Sequence, residues 1–252
     1  MHPALDTTDL TIRFGGHVAV DRVSCAFHPG TLTAIVGPNG AGKTTYFNLI
    51  SGQLRASEGR VRVGGEDVTD LPASERTLRG LGRAFQLTQL FPNLSVRENV
   101  RLAVQARARV GFDLLRIWSD RRALIERADD IVERVALAAR RDQPAASLPH
   151  GDQRKLEVGI LMALEPRVYM FDEPTAGMSN DDVPVILDLI RALKAERDRT
   201  ILLVEHKMDV VRELADRIVV LHNGRLAADG LPAEVIASPV VQQAYLGVAA
   251  GA

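Results

Sequence analysis

The stretch GPNGAGKTT, from Gly37 to Thr45, decides the fold of this chain. Glycine carries an entropic cost on folding, so a glycine-rich turn needs a structural reason. The apolar run Leu32–Val36 before it is typical of a buried strand, and the residues from Tyr46 to Ile50 are typical of a helix that stops at Gly52. The pattern G-x-x-x-x-G-K-[ST] between a strand and a helix predicts a loop whose main-chain N–H groups hold a polyphosphate.

Two side chains of this loop have separate predicted roles. Lys43 is expected to reach the β- and γ-phosphates of a nucleotide, and the Thr44 hydroxyl is expected to ligate Mg²⁺. The alternative is a chance match in a loose surface turn. The residues predicted to contact nucleotide are Gly37, Pro38, Asn39, Gly40, Ala41, Gly42, Lys43, Thr44 and Thr45.

Size and composition narrow the class of protein. The 252 residues suffice for one large α/β domain, and a net charge of −1 gives no basic field that would favour nucleic acid. Cys25 is the single cysteine, so no internal disulfide can form. No secretory signal is expected, and no apolar run approaches the ~18 residues of a membrane span. We therefore expect a soluble protein that reaches a membrane at most through a partner.

The order of apolar patterns predicts the fold class. Strand-like runs come before and after the loop, and residues 95 to 142 then lack strand signals but repeat apolar residues at helical spacing, which predicts a helical lobe. Alternating strands and helices follow, which predict a doubly wound, mainly parallel α/β core. The strand-like runs are Leu10–Phe14, Val18–Phe27, Gly59–Val63, Val168–Phe171, Ile201–Val204 and Ile218–Leu221.

Four polar side chains outside the loop are candidates for catalysis. Asp172 and Glu173 follow an apolar run, at the strand edge where ligands bind in open α/β sheets. There Asp172 can hold Mg²⁺ and Glu173 can polarise a water for attack on the γ-phosphate. Gln86 can coordinate Mg²⁺ or the water, and His206 can donate to the γ-phosphate. Each of these residues, considered alone, also has a non-catalytic interpretation, such as a solvated acidic turn for the two acids or an ordinary surface position for Gln86.

The order of these motifs resembles that of the ATP-binding subunits of ABC transporters. It runs from the phosphate loop through Gln86, the segment Leu148-Pro-His-Gly-Asp152 and the two acids to His206, and the resemblance extends from about Leu10 to Gly247. It implies a phosphate-loop NTPase core, an N-terminal antiparallel β subdomain and an inserted α-helical subdomain. The implied domain is residues 1–252, with its core at about 1–94 and 155–252 and the helical subdomain, including the signature segment, at about 95–154.

The resemblance also implies how the sites are built. Two subunits sandwich two ATP molecules, so each site takes the loop from one subunit and the signature segment from the other. Phe14 would stack on adenine with Val18 nearby, Glu173 would act as base and His206 would anchor the γ-phosphate. The Mg²⁺ set would be Thr44, Gln86 and Asp172, and the signature residues facing the partner's ATP would be Leu148, Pro149, His150, Gly151 and Asp152.

A closer resemblance is to the ATPases of branched-chain (hydrophobic) amino acid importers. ATPases of urea or amide importers share most of these traits, and the ATPase of lipopolysaccharide export is also similar but has a signature closer to the common one. A soluble ABC ATPase acting on DNA or the ribosome is the alternative of another class. The segments that carry the closer match are Phe14-Gly-Gly, Arg154-Lys-Leu-Glu157, Ala176-Gly-Met178, Glu205-His206 and Tyr245-Leu-Gly247.

The partners follow from this resemblance. They are a second ABC ATPase subunit, identical or not, two transmembrane permease subunits and, indirectly, an extracytoplasmic solute-binding protein. The protein would sit peripherally on the cytoplasmic face of the cell membrane, and no nucleic acid is expected. The permease would dock near residues 86–99, with Phe91, Pro92 and Leu94 as contacts.

The signature segment departs from the common Leu-Ser-Gly-Gly-Gln. Pro149 replaces a serine hydroxyl that would donate to the partner's γ-phosphate, and proline also lacks an N–H. Asp152 is expected to cap the following helix and to add negative charge near that phosphate. We therefore expect the site that uses this signature to close less tightly. Ser179 stands where an aspartate is common, and Ser179 and Asn180 could cap the next helix.

Overall fold

A computed structural model describes residues 2–84, 90–108, 119–179, 181–238 and 241, with only the main chain of 119–121. The strands are β1 (Leu5–Phe14), β2 (His17–Phe27), β3 (Leu32–Val36), β4 (Glu58–Val63), β5 (Glu66–Asp67), β6 (Leu81–Ala84), β7 (Val168–Asp172), β8 (Thr200–Val204), β9 (Arg217–His222) and β10 (Arg225–Gly230). The α-helices are α1 (Lys43–Ser51), α2 (Ala73–Leu78), α3 (Val96–Arg107), α4 (Ser119–Arg134), α5 (His150–Leu164), α6 (Val183–Ala195), α7 (Met208–Leu214) and α8 (Pro232–Ala237).

The N-terminal strands form an antiparallel sheet in the order β2-β1-β4-β5. Strand β1 lies between two partners, and Leu5 is in register with Phe27 on one side and with Val63 on the other. These three side chains are buried in one apolar cluster, which stabilises the sheet. The expected antiparallel β subdomain is thus confirmed.

A second, mixed sheet carries the predicted site, in the order β10-β9-β3-β8-β7-β6. Strand β3 pairs in parallel with β8 and β9, and β7 pairs in parallel with β8. Every residue of β3, β7 and β8 is buried, as is usual for central parallel strands. Val204 is in register with both Ile35 and Asp172, so the segments that follow β3, β7 and β8 leave the sheet at one edge.

Helix α1 is fixed at its C-terminal end by a buried arginine. The Arg76 guanidinium donates to the carbonyl oxygens of Leu49 and Ile50, both at 2.7 Å, and its side chain is among the largest that are fully buried. Carbonyl groups of a last helical turn lack the usual partner four residues further on, and the guanidinium supplies a donor to each of these two; the Leu49 carbonyl also accepts from the N–H of Gly52 at 3.3 Å. The helix that begins at Lys43 is therefore held rigidly at its far end.

By its internal contacts the chain divides into two compact units. The first contains Met1–Arg83, Arg167–Glu173 and Lys194–Ala252, and the second contains Ala84–Pro166 and Pro174–Leu193. In the second unit α3, α4 and α5 pack on one another, so the inserted helical subdomain is confirmed. Its expected boundaries, near residues 95 and 154, stay a prediction. None of the helices in the described ranges is long and apolar enough to pass through a membrane.

Candidate active site

The loop from Gly37 to Thr45 has glycine where no side chain fits. A Cβ at Gly37 would lie 2.2 Å from the carbonyl oxygen of Leu221. Gly42 precedes α1 with a φ of 96°, in the left-handed region, and a Cβ there would lie 2.6 Å from the carbonyl oxygen of Ala19. The strand–loop–helix context that the motif requires is therefore present, since β3 ends at Val36 and α1 begins at Lys43.

A cleft of about 300 Å³ opens over this loop. It brings together residues that follow three different strands of the mixed sheet, because the loop, Glu173 and His206 all line it. His17 and Ala19 also line the cleft, and the sequence analysis missed both. Their only signal in the sequence was that they follow Phe14, a predicted nucleotide contact, after the turn at Gly15-Gly16. The remaining lining residues are Asn39, Gly40, Ala41, Gly42, Lys43, Thr44 and Thr45.

Lys43 is buried at the base of the loop. Its Nζ donates to the carbonyl oxygen of Gly37 at 2.6 Å and to that of Pro38 at 3.0 Å. Burial lowers the pKa of the Lys43 ammonium, and the negative charges of Glu173 and Asp172 oppose that shift. An ammonium group in this cradle is arranged to bind an anion that enters the cleft.

Glu173 enters the cleft through an unusual main-chain conformation. Its φ is 49°, in the left-handed region that non-glycine residues rarely adopt, which costs about 1–3 kcal/mol. Its N–H still donates to the carbonyl oxygen of Val204 at 2.9 Å, so the turn directly after β7 stays attached to the sheet. Strained conformations of this kind occur preferentially at functional sites.

His206 holds the Glu173 carboxylate. His206 Nε2 lies 2.7 Å from Glu173 Oε1, and in the tautomer with its proton on Nε2 the ring donates to the acid. The buried Glu205 accepts from the N–H of His206 at 2.9 Å through Oε2, and this fixes the main chain that carries the ring. The role of Glu205 was not foreseen, although its place directly before the histidine was visible.

Asp172 is wholly buried and paired with an arginine. Its Oδ2 accepts from Arg83 Nη2 at 2.7 Å, and the two side chains are 0% and 4% exposed. The sequence analysis did not single out Arg83, which lies 89 residues away along the chain.

The residues of the cleft, together with Asp172, suit a nucleoside triphosphate with Mg²⁺. The loop packs so closely on Leu221 and Ala19 that glycine is needed there, and its residues from Asn39 to Thr45 line the cleft. A glycine loop before a helix is suited to presenting main-chain N–H groups to a phosphate. The Thr44 hydroxyl and the Asp172 carboxylate are hard oxygen donors, which Mg²⁺ prefers together with substrate phosphates. Gln86, the third predicted Mg²⁺ residue, lies outside the described residues.

The two predicted base contacts lie next to the cleft in the antiparallel sheet. Phe14 ends β1, is 50% exposed and is in register with His17, which lines the cleft. Val18 is partly buried and lies between two lining residues, His17 and Ala19. Their contact with adenine stays a prediction.

The signature segment forms the start of α5. Pro149 precedes the helix without a side-chain cap, and Leu148 is buried while His150 is exposed. Gly151 packs so closely that a Cβ would lie 2.6 Å from Asp182 Oδ2.

The expectation that the Asp152 side chain caps α5 was wrong. Its carboxylate does not cap α5; it accepts from Lys155 Nζ at 3.0 Å and lies 2.8 Å from Arg140 Nε. Two cations therefore lie beside this carboxylate, and its effect on a phosphate of the partner's ATP stays a prediction. Neither partner was foreseen, because the charge balance depends on the fold of the helical segment.

The turn before α6 is joined to the signature segment. Ser179 Oγ donates to Asp182 Oδ2 at 2.7 Å, so this hydroxyl holds an acid. Asn180, the other residue that could cap α6, lies outside the described residues. Lys155 Nζ donates to Asp182 Oδ1 at 2.6 Å as well as to Asp152. One ammonium thus connects the start of α5 with the turn that precedes α6.

Two family models match this chain. The ABC transporter model matches residues 20–176, and the model of the branched-chain amino acid ATP-binding cassette transporter matches residues 225–251.

Curated relatives match along almost the whole chain. The chain is 36% identical over 252 residues to the high-affinity branched-chain amino acid transport ATP-binding protein LivG of Escherichia coli (strain K12), covering 98% of this chain and 99% of the relative. Identity and coverage are the same for BraF of Pseudomonas aeruginosa, which has the same description. A probable LivG of Archaeoglobus fulgidus is 33% identical over 245 residues, covering 96% of this chain and 95% of the relative.

Solved structures share the fold. The ADP conformation of an ATP-binding cassette of an ABC transporter superposes with a TM-score of 0.81 at 29% identity, covering 98% of this chain and all of that one. A nucleotide-free cassette from an ABC transporter gives the same TM-score at 30% identity, covering 97% of this chain and 99% of that one.

Proposed function

Because this chain belongs to the family of ABC transporter ATP-binding proteins, we propose that it is the ATP-hydrolysing subunit of an importer for branched-chain amino acids. The observation that carries the cargo class is that a family model and the curated relatives agree on it. Residues 225–251 match the branched-chain cassette model, and the curated relatives of almost equal length have that cargo in their descriptions. We also propose one ATPase domain, with the helical subdomain at about 95–154.

The chain is an ATP hydrolase, and its reaction is phosphoryl transfer to water. In the proposed mechanism Glu173 accepts a proton from the attacking water as the water oxygen bonds to the γ-phosphorus. The bond from that phosphorus to the β–γ bridging oxygen breaks, and ADP and inorganic phosphate result. His206 keeps the carboxylate in place through the 2.7 Å contact, and Lys43 balances phosphate charge.

Thr44, Asp172 and Gln86 would hold Mg²⁺, and Phe14 and Val18 would contact the base. When bound, Mg²⁺ would neutralise charge on the phosphate oxygens. The signature residues from Leu148 to Asp152 would face ATP held by a second ATPase subunit.

An exposed loop supports docking to a membrane permease. Phe91 is 57% exposed and Leu94 is 36% exposed, so two large apolar side chains face solvent. The buried Asn99 fixes the loop, since its Nδ2 donates to the carbonyl oxygens of both residues. We propose that the permease, which has two transmembrane subunits, docks at this loop through Phe91, Pro92 and Leu94 on the cytoplasmic face of the cell membrane and connects the ATPase to a solute-binding protein.

We expect a tagged chain purified from membranes to bring down permease subunits, and cells that carry the complex to take up labelled leucine. The double variant Phe91→Ser/Leu94→Ser should lose the permease but keep the ATPase activity of the isolated chain. Leu78→Ser is the matched control, because Leu78 is a 67% exposed leucine elsewhere on the chain. Recovery of ribosomes or DNA would overturn the proposal, and uptake of urea without leucine would overturn the cargo class.

The signature substitution gives a separate prediction. Pro149→Ser restores a hydroxyl that can donate to the partner's γ-phosphate. A charge-assisted hydrogen bond contributes about 1.5–3 kcal/mol, so ATP-dependent dimerisation should tighten roughly 10- to 100-fold in sedimentation experiments. Pro144→Ser is the control, since Pro144 also precedes a helical turn, at 145–147, but lies outside the signature. Unchanged dimerisation and turnover in Pro149→Ser would contradict the prediction.

A further inference from the structure

We propose that Arg83 is a positioning residue for Asp172, and that its buried guanidinium orients the carboxylate for the metal ion that accompanies ATP. The inference rests on the proposed function, because it assigns a role to Arg83 in the same site. The inference adds Arg83 to the site as a residue that does not contact nucleotide and acts only through the Asp172 carboxylate.

Burial of the Arg83–Asp172 ion pair costs desolvation free energy, which other interactions or a functional role must offset. Arg83 Nη2 donates to Asp172 Oδ2 at 2.7 Å, and both side chains are almost fully removed from solvent. Burial lowers the pKa of the Arg83 guanidinium, and the Asp172 charge opposes that shift. A buried ion pair is often no more stabilising than apolar residues of the same size, so its burial is weak evidence for a role in stability alone.

The other end of the guanidinium is anchored to helix α1. Arg83 Nη1 donates to Asn48 Oδ1 at 2.7 Å and to Ser51 Oγ at 2.9 Å. The guanidinium also lies over the Phe47 ring, 5.5 Å from its centroid. Three residues of one helix, together with a longer bond from Nη1 to Gln53 Oε1 at 3.2 Å, therefore hold the guanidinium in place.

Helix α1 is also the element that carries the hydroxyl donor. Thr44 lies in its first turn, and Asn48 is one helical turn further along. The helix is rigid over this length, so Arg83 connects the Asp172 carboxylate to the same body that holds the Thr44 hydroxyl. The arrangement fixes the two oxygen donors relative to each other before the metal arrives, and this is the reason for the buried pair.

Two substitutions test the role. Partners that orient a metal ligand typically contribute about 10- to 100-fold in metal affinity or activity. Arg83→Met should lower the affinity of the nucleotide-bound protein for Mn²⁺ by about that factor, as measured by electron paramagnetic resonance. Nucleotide affinity in EDTA, measured with a fluorescent ATP analogue, should stay unchanged. Arg83→Lys should give a smaller loss, because a point charge cannot hold Asp172 and α1 with one planar fork.

Arg76→Lys is the matched control, since Arg76 is also buried and also donates to α1 but contacts main-chain carbonyl groups. It should keep wild-type Mn²⁺ affinity even if thermal unfolding shows lower stability. The inference is overturned if both Arg83 variants keep wild-type Mn²⁺ affinity. It is also overturned if their affinity for the ATP analogue in EDTA falls by the same factor as their affinity for Mn²⁺. If Arg83→Met does not fold, Arg83→Lys decides alone. A wild-type protein that binds no nucleotide in either condition overturns the proposed function as well.

Discussion

Glu173→Gln will abolish steady-state ATP turnover and leave nucleotide binding intact. The amide keeps the shape of the carboxylate but cannot accept a proton from the attacking water. General-base catalysis typically contributes about 10²- to 10⁴-fold, so phosphate release should fall by that factor. The contact with His206 Nε2 can persist, because the amide oxygen also accepts a hydrogen bond. The variant should therefore accumulate as an ATP-bound dimer.

The measurement is phosphate release at saturating ATP, together with nucleotide affinity and thermal unfolding of the same preparation. Glu66→Gln is the control, because Glu66 is an exposed acid on β5 whose side chain is 72% exposed. It should retain wild-type turnover. Turnover of Glu173→Gln close to that of the wild type would remove Glu173 from the role of base and would require another acceptor in the cleft.

The sequence predicted those parts of the site whose chemistry is local. Glycines, a lysine and a hydroxyl at fixed spacing specify a phosphate loop within a few residues of chain, and the structure places Gly37 and Gly42 where a Cβ does not fit. The two acids were found for the same reason, since an apolar run that ends in carboxylates marks the edge of a sheet. Strand order then brought His206 to Glu173, although the sequence analysis had assigned the ring to the γ-phosphate and had not foreseen this contact.

The contacts that the sequence did not reveal depend on residues far apart in the chain. Nothing in the local sequence distinguishes Arg83 from the other arginines, and only the folded sheet places it beside Asp172. Asp152 looks like an uncompensated charge until the helical segment places Arg140 and Lys155 beside it. Strand β10 was also missed, because its residues are mostly exposed and show no apolar run. Such features follow from tertiary structure and leave little trace in local pattern.

Lys43→Ala will remove most of the nucleotide affinity. The Lys43 ammonium is the cation that burial holds at the base of the loop, and its loss leaves phosphate charge without a partner in a cleft also lined by Glu173. Removing one partner of a buried charge pair costs about 2–5 kcal/mol, which corresponds to roughly 30- to several-thousand-fold in Kd. The affinity of a fluorescent ATP analogue should fall by that factor.

Thermal unfolding separates this loss from misfolding. Without nucleotide, burial already disfavours the charged form of Lys43, and its two hydrogen bonds go to carbonyl oxygens of its own loop. We therefore expect the nucleotide-free variant to unfold near the wild-type temperature, while the stabilisation by added ATP, which follows occupancy, disappears. Lys207→Ala is the control, because Lys207 is exposed, directly follows His206 and is not among the described residues that line the cleft. If Lys43→Ala keeps wild-type affinity while Lys207→Ala loses it, the phosphates bind outside the glycine loop and the assigned site is wrong.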